Sequence, residues 1–302
     1  MRSHDQWLAT PHAKALAGLP LISIAKIGTA APKPWPKGDR PLAGIHVLDL
    51  SRVIAGPVAG RTLAVHGADV LLISGPELPA IPWLTIDTGR GKLTSFVELK
   101  QEQGRDVLRG LLTQADIFSQ GYRPQAIGRL GFSPEDAARI NPGIIYVTLS
   151  AYGHAGPWAE RRGFDSLVQT ATGFNHAEGQ AAGVDGPKEL PAQMLDHATG
   201  YFMAFGAMMA KARQAREGGS WHVQVSLAQT GRWLWNLGRV ASGLNTRDLT
   251  GEAVTPFIEE VGSGFGALRS VRHAAILSKT PAFWARPAMP LGSHPPQWPA
   301  RE

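Results

Sequence analysis

The chain has 302 residues, enough for one large domain or two ordinary ones, and 43% of them are hydrophobic. Lys plus Arg number 30 against 24 Asp plus Glu, a net of +6 with no basic block, which suits an anionic small ligand better than a nucleic acid. The absence of cysteine excludes a disulfide framework, a thiolate-ligated zinc and a thiol nucleophile.

In chain order, MRSHDQWLATPH lacks the apolar core of a signal peptide, and no later apolar run is long enough to span a bilayer, so a cytoplasmic location without membrane contact is the default. GTAAPKPWPKGDRP (28–41) predicts a linker after an N-terminal leader, because its prolines break regular structure. GIHVLDLS (44–51) reads as a strand, GPVAGRTLAVHG (56–67) as a helix opened by Pro57, and ADVLLIS (68–74) as the next strand. TSFVELK (94–100), ADIFSQ (115–120) and GIIYVTLSAYG (143–153) continue as strands, with helices RDVLRGLLTQ (105–114) and SPEDAARI (133–140) among them. A long helix runs from Asp196 to about Gln214 and leads through EGGS into the strand-like WHVQVSLAQT. Residues 241–270 show no clear period, and the Pro- and Trp-rich tail predicts an extended segment lying on the surface. Strands alternating with helices mean βαβ units and a largely parallel sheet. Ligands on such sheets sit beyond the carboxyl ends of the strands, which points to the loops after 50, 120 and 150.

The familiar fingerprints are missing. SRVIAGPVAG after the first strand is not a G-x-G-x-x-G turn, so a dinucleotide site is unsupported. TGRGKLT (88–94) lacks the first glycine of a Walker loop and reads as a turn, although Arg90 and Lys92 could meet phosphates. His154, His176 and His197 lack metal-ligand spacing, so no metal is expected, and no G-x-S-x-G elbow is present. LPAQMLDHATGYFMAFGAMMA (190–210) sets one acid, Asp196, before a long apolar run. That position suits a helix cap, which accepts hydrogen bonds from unpaired N–H groups, and it also suits a group that does chemistry.

Several blocks stand together: PLAGIHVLDLSRVIAGPVAGRTLAVHGADVL, DTGRGKLTSFVELK, ADIFSQGYRPQAIGRLGFSPEDAARINPGIIYVTLSAYGHAGPW, RRGFDSLVQTATG, LDHATGYFMAFGAMMA and GGSWHVQVSL, with SKTPAFWARPAMPLGSH near the end. In this order they resemble the family III coenzyme A transferases, which include formyl-CoA and carnitine CoA-transferases and acyl-CoA racemases. The resemblance implies an α/β fold: a Rossmann-like, CoA-binding large domain with a largely parallel sheet over 41–240, a leader and linker over 1–40, and a reduced small-domain region with the closing segment over 241–302. It implies CoA transfer between an acyl-CoA and a carboxylic acid acceptor, with Asp196 as the nucleophile that passes through an aspartyl-CoA thioester. The start of a helix is expected to hold that carboxylate ionised and to offer N–H groups to a developing oxyanion. By family position CoA would meet Ile54 and Ala55, then Arg90, Gly91 and Lys92, then Gly121, Tyr122 and Arg123, with Arg129 at the nucleotide phosphates. A homodimer or a homologous partner chain is implied as well.

Two departures matter. The racemases carry His before the Asp of G-H-D, whereas this chain has GFD, and Phe164 moves no proton. The family's small domain, with its glycine-rich loop, is cut to a short stretch, so the chain reads as a shortened version or as the carboxyl half of a duplicated architecture. The alternatives to CoA transfer are an acyl-CoA racemase and a noncatalytic CoA-binding subunit of a larger assembly.

Overall fold

A computed structural model describes residues 1–299. Two short helices come first, α1 (His4–Leu8) and α2 (Pro11–Leu16), with Ser3 and Thr10 as their side-chain caps. Strand β1 (Ser23–Gly28) follows. The alternation then runs β2 (His46–Leu50), α3 (Ala55–Val65), β3 (Asp69–Ser74), α4 (Pro82–Thr88), β4 (Lys92–Phe96), α5 (Glu102–Leu112) and β5 (Ile117–Gln120). It continues with α6 (Pro134–Ile140), β6 (Ile145–Ser150), α7 (Asp165–Thr172), α8 (Phe174–Ala182), α9 (Met194–Glu217), β7 (Ser220–Ser226) and α10 (Leu227–Asn236). A hairpin of β8 (Ile258–Ser263) and β9 (Gly266–Val271) comes last.

The main sheet has the order β1-β7-β6-β5-β2-β3-β4. Every neighbouring pair is parallel except β1 with β7. The chain therefore winds one way from β2 to β4, then crosses back to β5 and winds the other way. That reversal between β2 and β5 is the topological switch point, where adjacent crossovers leave the sheet on opposite faces and open a crevice at the strands' carboxyl ends. The α/β sheet expected from the alternation is present.

Strand periodicity decides what each face buries. In β2, Val47 faces a layer with Ala59 and Leu63 of α3 and Met203, Ala204 and Ala207 of α9. Its neighbour Leu48 faces the other layer, with Leu108, Leu111 and Leu112 of α5. Successive side chains point to opposite faces, so a strand covered on both sides must be apolar throughout, as β2 nearly is. Small residues let α3 and α9 approach. A Cβ on Gly200 would lie 2.5 Å from the Ala55 carbonyl oxygen and 2.8 Å from Val58, so only glycine fits there.

Several segments differ from the sequence reading: LAQT (227–230), read as part of a strand, opens α10 instead, and three further stretches change role. Residues 1–28, read as a leader, build Trp7 and Leu16 into a third apolar cluster and add β1 to the sheet edge. The patternless stretch 241–270 contains the β8–β9 hairpin, and it is not free of a glycine-rich turn: GSGFG forms the tip, with Gly264 against Met289. The tail is an extended surface segment, as expected, and it also seals the outer edge of β4. His294 N–H donates to Thr94 O (2.9 Å), Thr94 N–H donates to His294 Nδ1 (3.1 Å), and Gly91 N–H donates to Arg286 O (2.9 Å). Trp298 stacks on His46 at 4.4 Å. No helix among the described residues is long and apolar enough to cross a membrane.

Candidate active site

The loop between β2 and α3 rests on a buried ion pair. Asp49 is wholly buried; one of its oxygens accepts from Lys92 Nζ at 3.0 Å and the other from the Ser51 hydroxyl. Lys92 Nζ also donates to the Pro57 carbonyl at 2.9 Å. Burial pushes the Lys92 pKa down while Asp49 pulls it up. Above this pair the backbone is strained: Val53 has φ +73°, and a β-branched residue there costs on the order of 1–3 kcal/mol. Ile54 then opens α3 with no side-chain cap. Pro57 has no N–H, and among the described residues no partner is found for the N–H groups of Ala55 and Gly56, both of which are buried.

Asp196 lies in the first turn of α9, 7% exposed, but it is not the cap. The capping acceptor comes from α7. Asp165 Oδ2 takes the Asp196 N–H at 2.8 Å, and Asp165 also accepts from the Leu195 N–H and from Gln169 Nε2. Asp165 is itself 1% exposed, so two carboxyl groups share one dry corner. The Asp196 pKa is pushed up to about 7, first by burial and then by the Asp165 charge. That corrects the expectation that the helix N-terminus keeps this carboxylate ionised. The dipole term is typically worth 0.3–1 kcal/mol at an exposed site, roughly, and the loss of water outweighs it here. Burial raises the Asp165 pKa too, against the pull of its N–H donors. Gly200, one turn beyond Asp196, packs against the Ala55 carbonyl and Val58, which sets the start of α9 against the start of α3.

A cavity of about 330 Å³ opens over the carboxyl ends of β2, β3 and β4. Its walls include Arg52, Val53, Leu84 and Phe164, closed by Met289 and Leu291 of the tail segment. Phe164, the residue before Asp165, is 61% exposed and lines this cavity, whereas neither Asp165 nor Asp196 is among its lining residues.

The structure redistributes the residues named from the sequence. Ile54 and Ala55 flank the open end of α3. Lys92 reaches the cavity wall, but its charge is held by Asp49, so a phosphate-binding role is corrected to a structural one. Arg90 is corrected in the same way. It pairs with Asp87 at 3.3 Å and Glu259 at 3.1 Å and lies 4.3 Å over Trp284, so its charge ties α4 to the β8–β9 hairpin. Gly91 is the left-handed residue (φ +81°) between them. Gly121 and Arg123 are exposed just beyond β5, Tyr122 is half-buried, and Arg129 is exposed in a 3₁₀ turn; none of these four lines the cavity. Sequence reasoning missed Asp165 and Arg52. GFD was read only for what Phe164 lacks, and a lone Arg in SRVIAGP carries no spacing signal. Among the described residues no cluster of His, Asp or Glu could hold a metal ion.

A family model described as CoA-transferase family III matches residues 42–286. The chain belongs to the family III CoA-transferases. It is 35% identical over 199 residues to the acetyl-coenzyme A transferase nodX of Hypoxylon pulicicidum, covering 65% of this chain and 34% of that protein. It is 32% identical over 222 residues to the probable fatty acyl-CoA transferase Rv3272 of Mycobacterium tuberculosis, covering 67% of this chain and 56% of that protein. Human succinyl-CoA:glutarate CoA-transferase is 31% identical over 194 residues, 60% of this chain and 44% of that enzyme. This family III chain thus spans between about a third and just over half of the length of these relatives. A crystal structure of Rv3272 shares the fold, with a TM-score of 0.73 at 22% identity over 84% of this chain and 98% of that one.

Proposed function

We propose that this chain transfers CoA between an acyl-CoA thioester and a carboxylic acid, with Asp196 as the nucleophile. The observation that carries the reading is a buried carboxyl group in the first turn of α9, freed from capping by Asp165, on a helix whose start packs against the start of α3. The Asp196 carboxylate attacks the thioester carbonyl; the C–S bond breaks and yields an aspartyl anhydride and CoA thiolate. The thiolate attacks the aspartyl carbonyl and expels the first acid as its carboxylate, leaving aspartyl-CoA. The acceptor carboxylate then repeats the exchange in reverse, which regenerates Asp196 and releases the new thioester. The Ala55 and Gly56 N–H groups at the start of α3 are the donors proposed for the oxyanion of each tetrahedral intermediate. Gly121, Tyr122, Arg123 and Arg129 are offered to the nucleotide end of CoA from the β5 side of the crevice.

Incubation with an acyl-CoA should leave an adduct on Asp196, found by mass spectrometry and cleaved by hydroxylamine. Asp196→Asn should lose it while keeping the fold, since Asp165 remains as the cap. CoA transfer by the Asn variant would refute the nucleophile. Exchange of the substrate α-proton in deuterated water would favour a racemase instead, against which Phe164 stands. Binding of CoA without turnover would point to a noncatalytic subunit. A homodimer or a homologous partner chain is part of the same proposal.

A further inference from the structure

The cavity over the β2–α3 loop has no acidic residue in its lining and two cations, Lys92 and Arg52. Lys92 is wholly buried and matched by Asp49, so it presents no net charge. Arg52 is different. Among the described residues its one hydrogen bond runs from Nη2 to the carbonyl of Pro79, another wall residue, and no carboxylate pairs with it. A carbonyl fixes a guanidinium in place but leaves its charge uncompensated, with the remaining N–H donors of a planar fork to spare. The position is also defined. Arg52 sits at the switch point, one residue before the strained Val53, and its charge is felt by the Tyr122 phenol on the β5 side of the crevice. The rest of the lining is mostly apolar, with Ser51, Ser74, Thr85, Thr88 and Thr94 adding hydroxyls and no negative charge.

We infer that Arg52 is the residue in this cavity that holds a phosphate group of the CoA substrate. The inference rests on the CoA-transferase reading of the site. Its chemistry is a paired donation from the guanidinium to two phosphate oxygens, at a place where the strained loop and Pro79 set the direction of the side chain. Because Arg52 is partly exposed and belongs to no core cluster, its replacement should leave the fold intact.

The experiment is calorimetric titration of wild type and of Arg52→Ala and Arg52→Lys with CoA, dephospho-CoA and pantetheine. Arg52→Ala should weaken CoA binding by roughly 10–100-fold, the range of a charge-assisted hydrogen bond, and flatten its salt dependence. Arg52→Lys should recover part of the loss, since charge returns without the fork. Pantetheine, which has no phosphate, should bind wild type and Arg52→Ala alike. Dephospho-CoA separates the two phosphate sources: an undiminished effect of Arg52→Ala assigns the diphosphate, and a vanished one assigns the 3′-phosphate. Equal CoA binding by wild type and Arg52→Ala overturns the assignment. So does an equal loss for pantetheine, or a loss confined to the carboxylic acid acceptor in transfer assays. A wild type that binds no CoA at all would instead overturn the CoA-transferase reading on which this rests.

Discussion

Asp49 beneath the β2–α3 loop and Asp196 at the mouth of α9 are both removed from water, at 0% and 7% exposure, yet their surroundings are opposite. Asp49 has a lysine at 3.0 Å on one oxygen and a hydroxyl on the other. Asp196 faces a second carboxyl group, Asp165, and no cation pairs with it among the described residues. A buried charge that is fully matched makes a rigid platform. A buried acid beside a like charge titrates near neutrality and remains available for reaction. The first region holds the strained loop in shape; the second supplies the group proposed as the nucleophile.

The largest effect should come from unbalancing the matched pair. Lys92→Met leaves Asp49 buried and alone, which should cost about 3–5 kcal/mol of stability in urea unfolding. The double variant Lys92→Met/Asp49→Leu should recover most of that loss. Equal losses for the single and double variants would show that the pair does not act as a unit.

The unmatched acid should reveal itself through pH. The folded pKa of Asp196, about 7, lies above its ordinary 3.8, so the folded state binds the proton more tightly than the unfolded chain. Its contribution is therefore fully present below about pH 4 and is lost as pH rises through about 7, on the order of a few kcal/mol in all. Asp196→Asn should remove that slope and be the more stable protein at pH 8, measured by urea unfolding across pH. A wild-type stability that rises between pH 4 and 8 relative to the Asn variant would contradict the assignment.

A smaller effect sharpens the cause. Asp165→Asn keeps an oxygen to accept the Asp196 N–H but deletes the like charge, so the Asp196 pKa should fall. The acid limb of the kcat/KM–pH profile should move to lower pH while the helix stays capped. An unmoved limb would leave burial as the sole cause. Smallest of all should be Arg123→Ala and Arg129→Ala. Both side chains are exposed, where each interaction is worth only about 0.2–1 kcal/mol, and their effect on CoA affinity should disappear at high salt.

The contrast also explains which features could be read from the sequence. The β2 to β7 alternation was legible because each element carries its own period and its own stop signals, Pro57 and Gly67 among them. Asp196 was legible through its place before an apolar helix. Its partner was not: Asp165 lies 31 residues away, and only the packing of α7 against α9 brings them together. Lys92 was misread for the same reason. In sequence it is a lysine in a glycine-bearing loop, and only its long-range partner, Asp49, turns it inward. The β8–β9 hairpin is hard to read because its strands, IEEVGS and GALRSV, hold few apolar residues among glycine, serine and charge, although they alternate in burial once folded.

The strap formed by the tail has a consequence for how the protein matures. β4 gains its outer neighbours from His294 and Arg286, about 200 residues further along the chain. During synthesis, at roughly 5–20 residues per second, that edge would stay unpaired for on the order of ten seconds or more while β2 and β3 are already out. An unpaired edge of a nascent sheet is a template for another chain. A nascent chain stopped short of residue 286 should therefore associate through β4 with other unfinished copies, whereas one that has reached residue 298 carries its own guard.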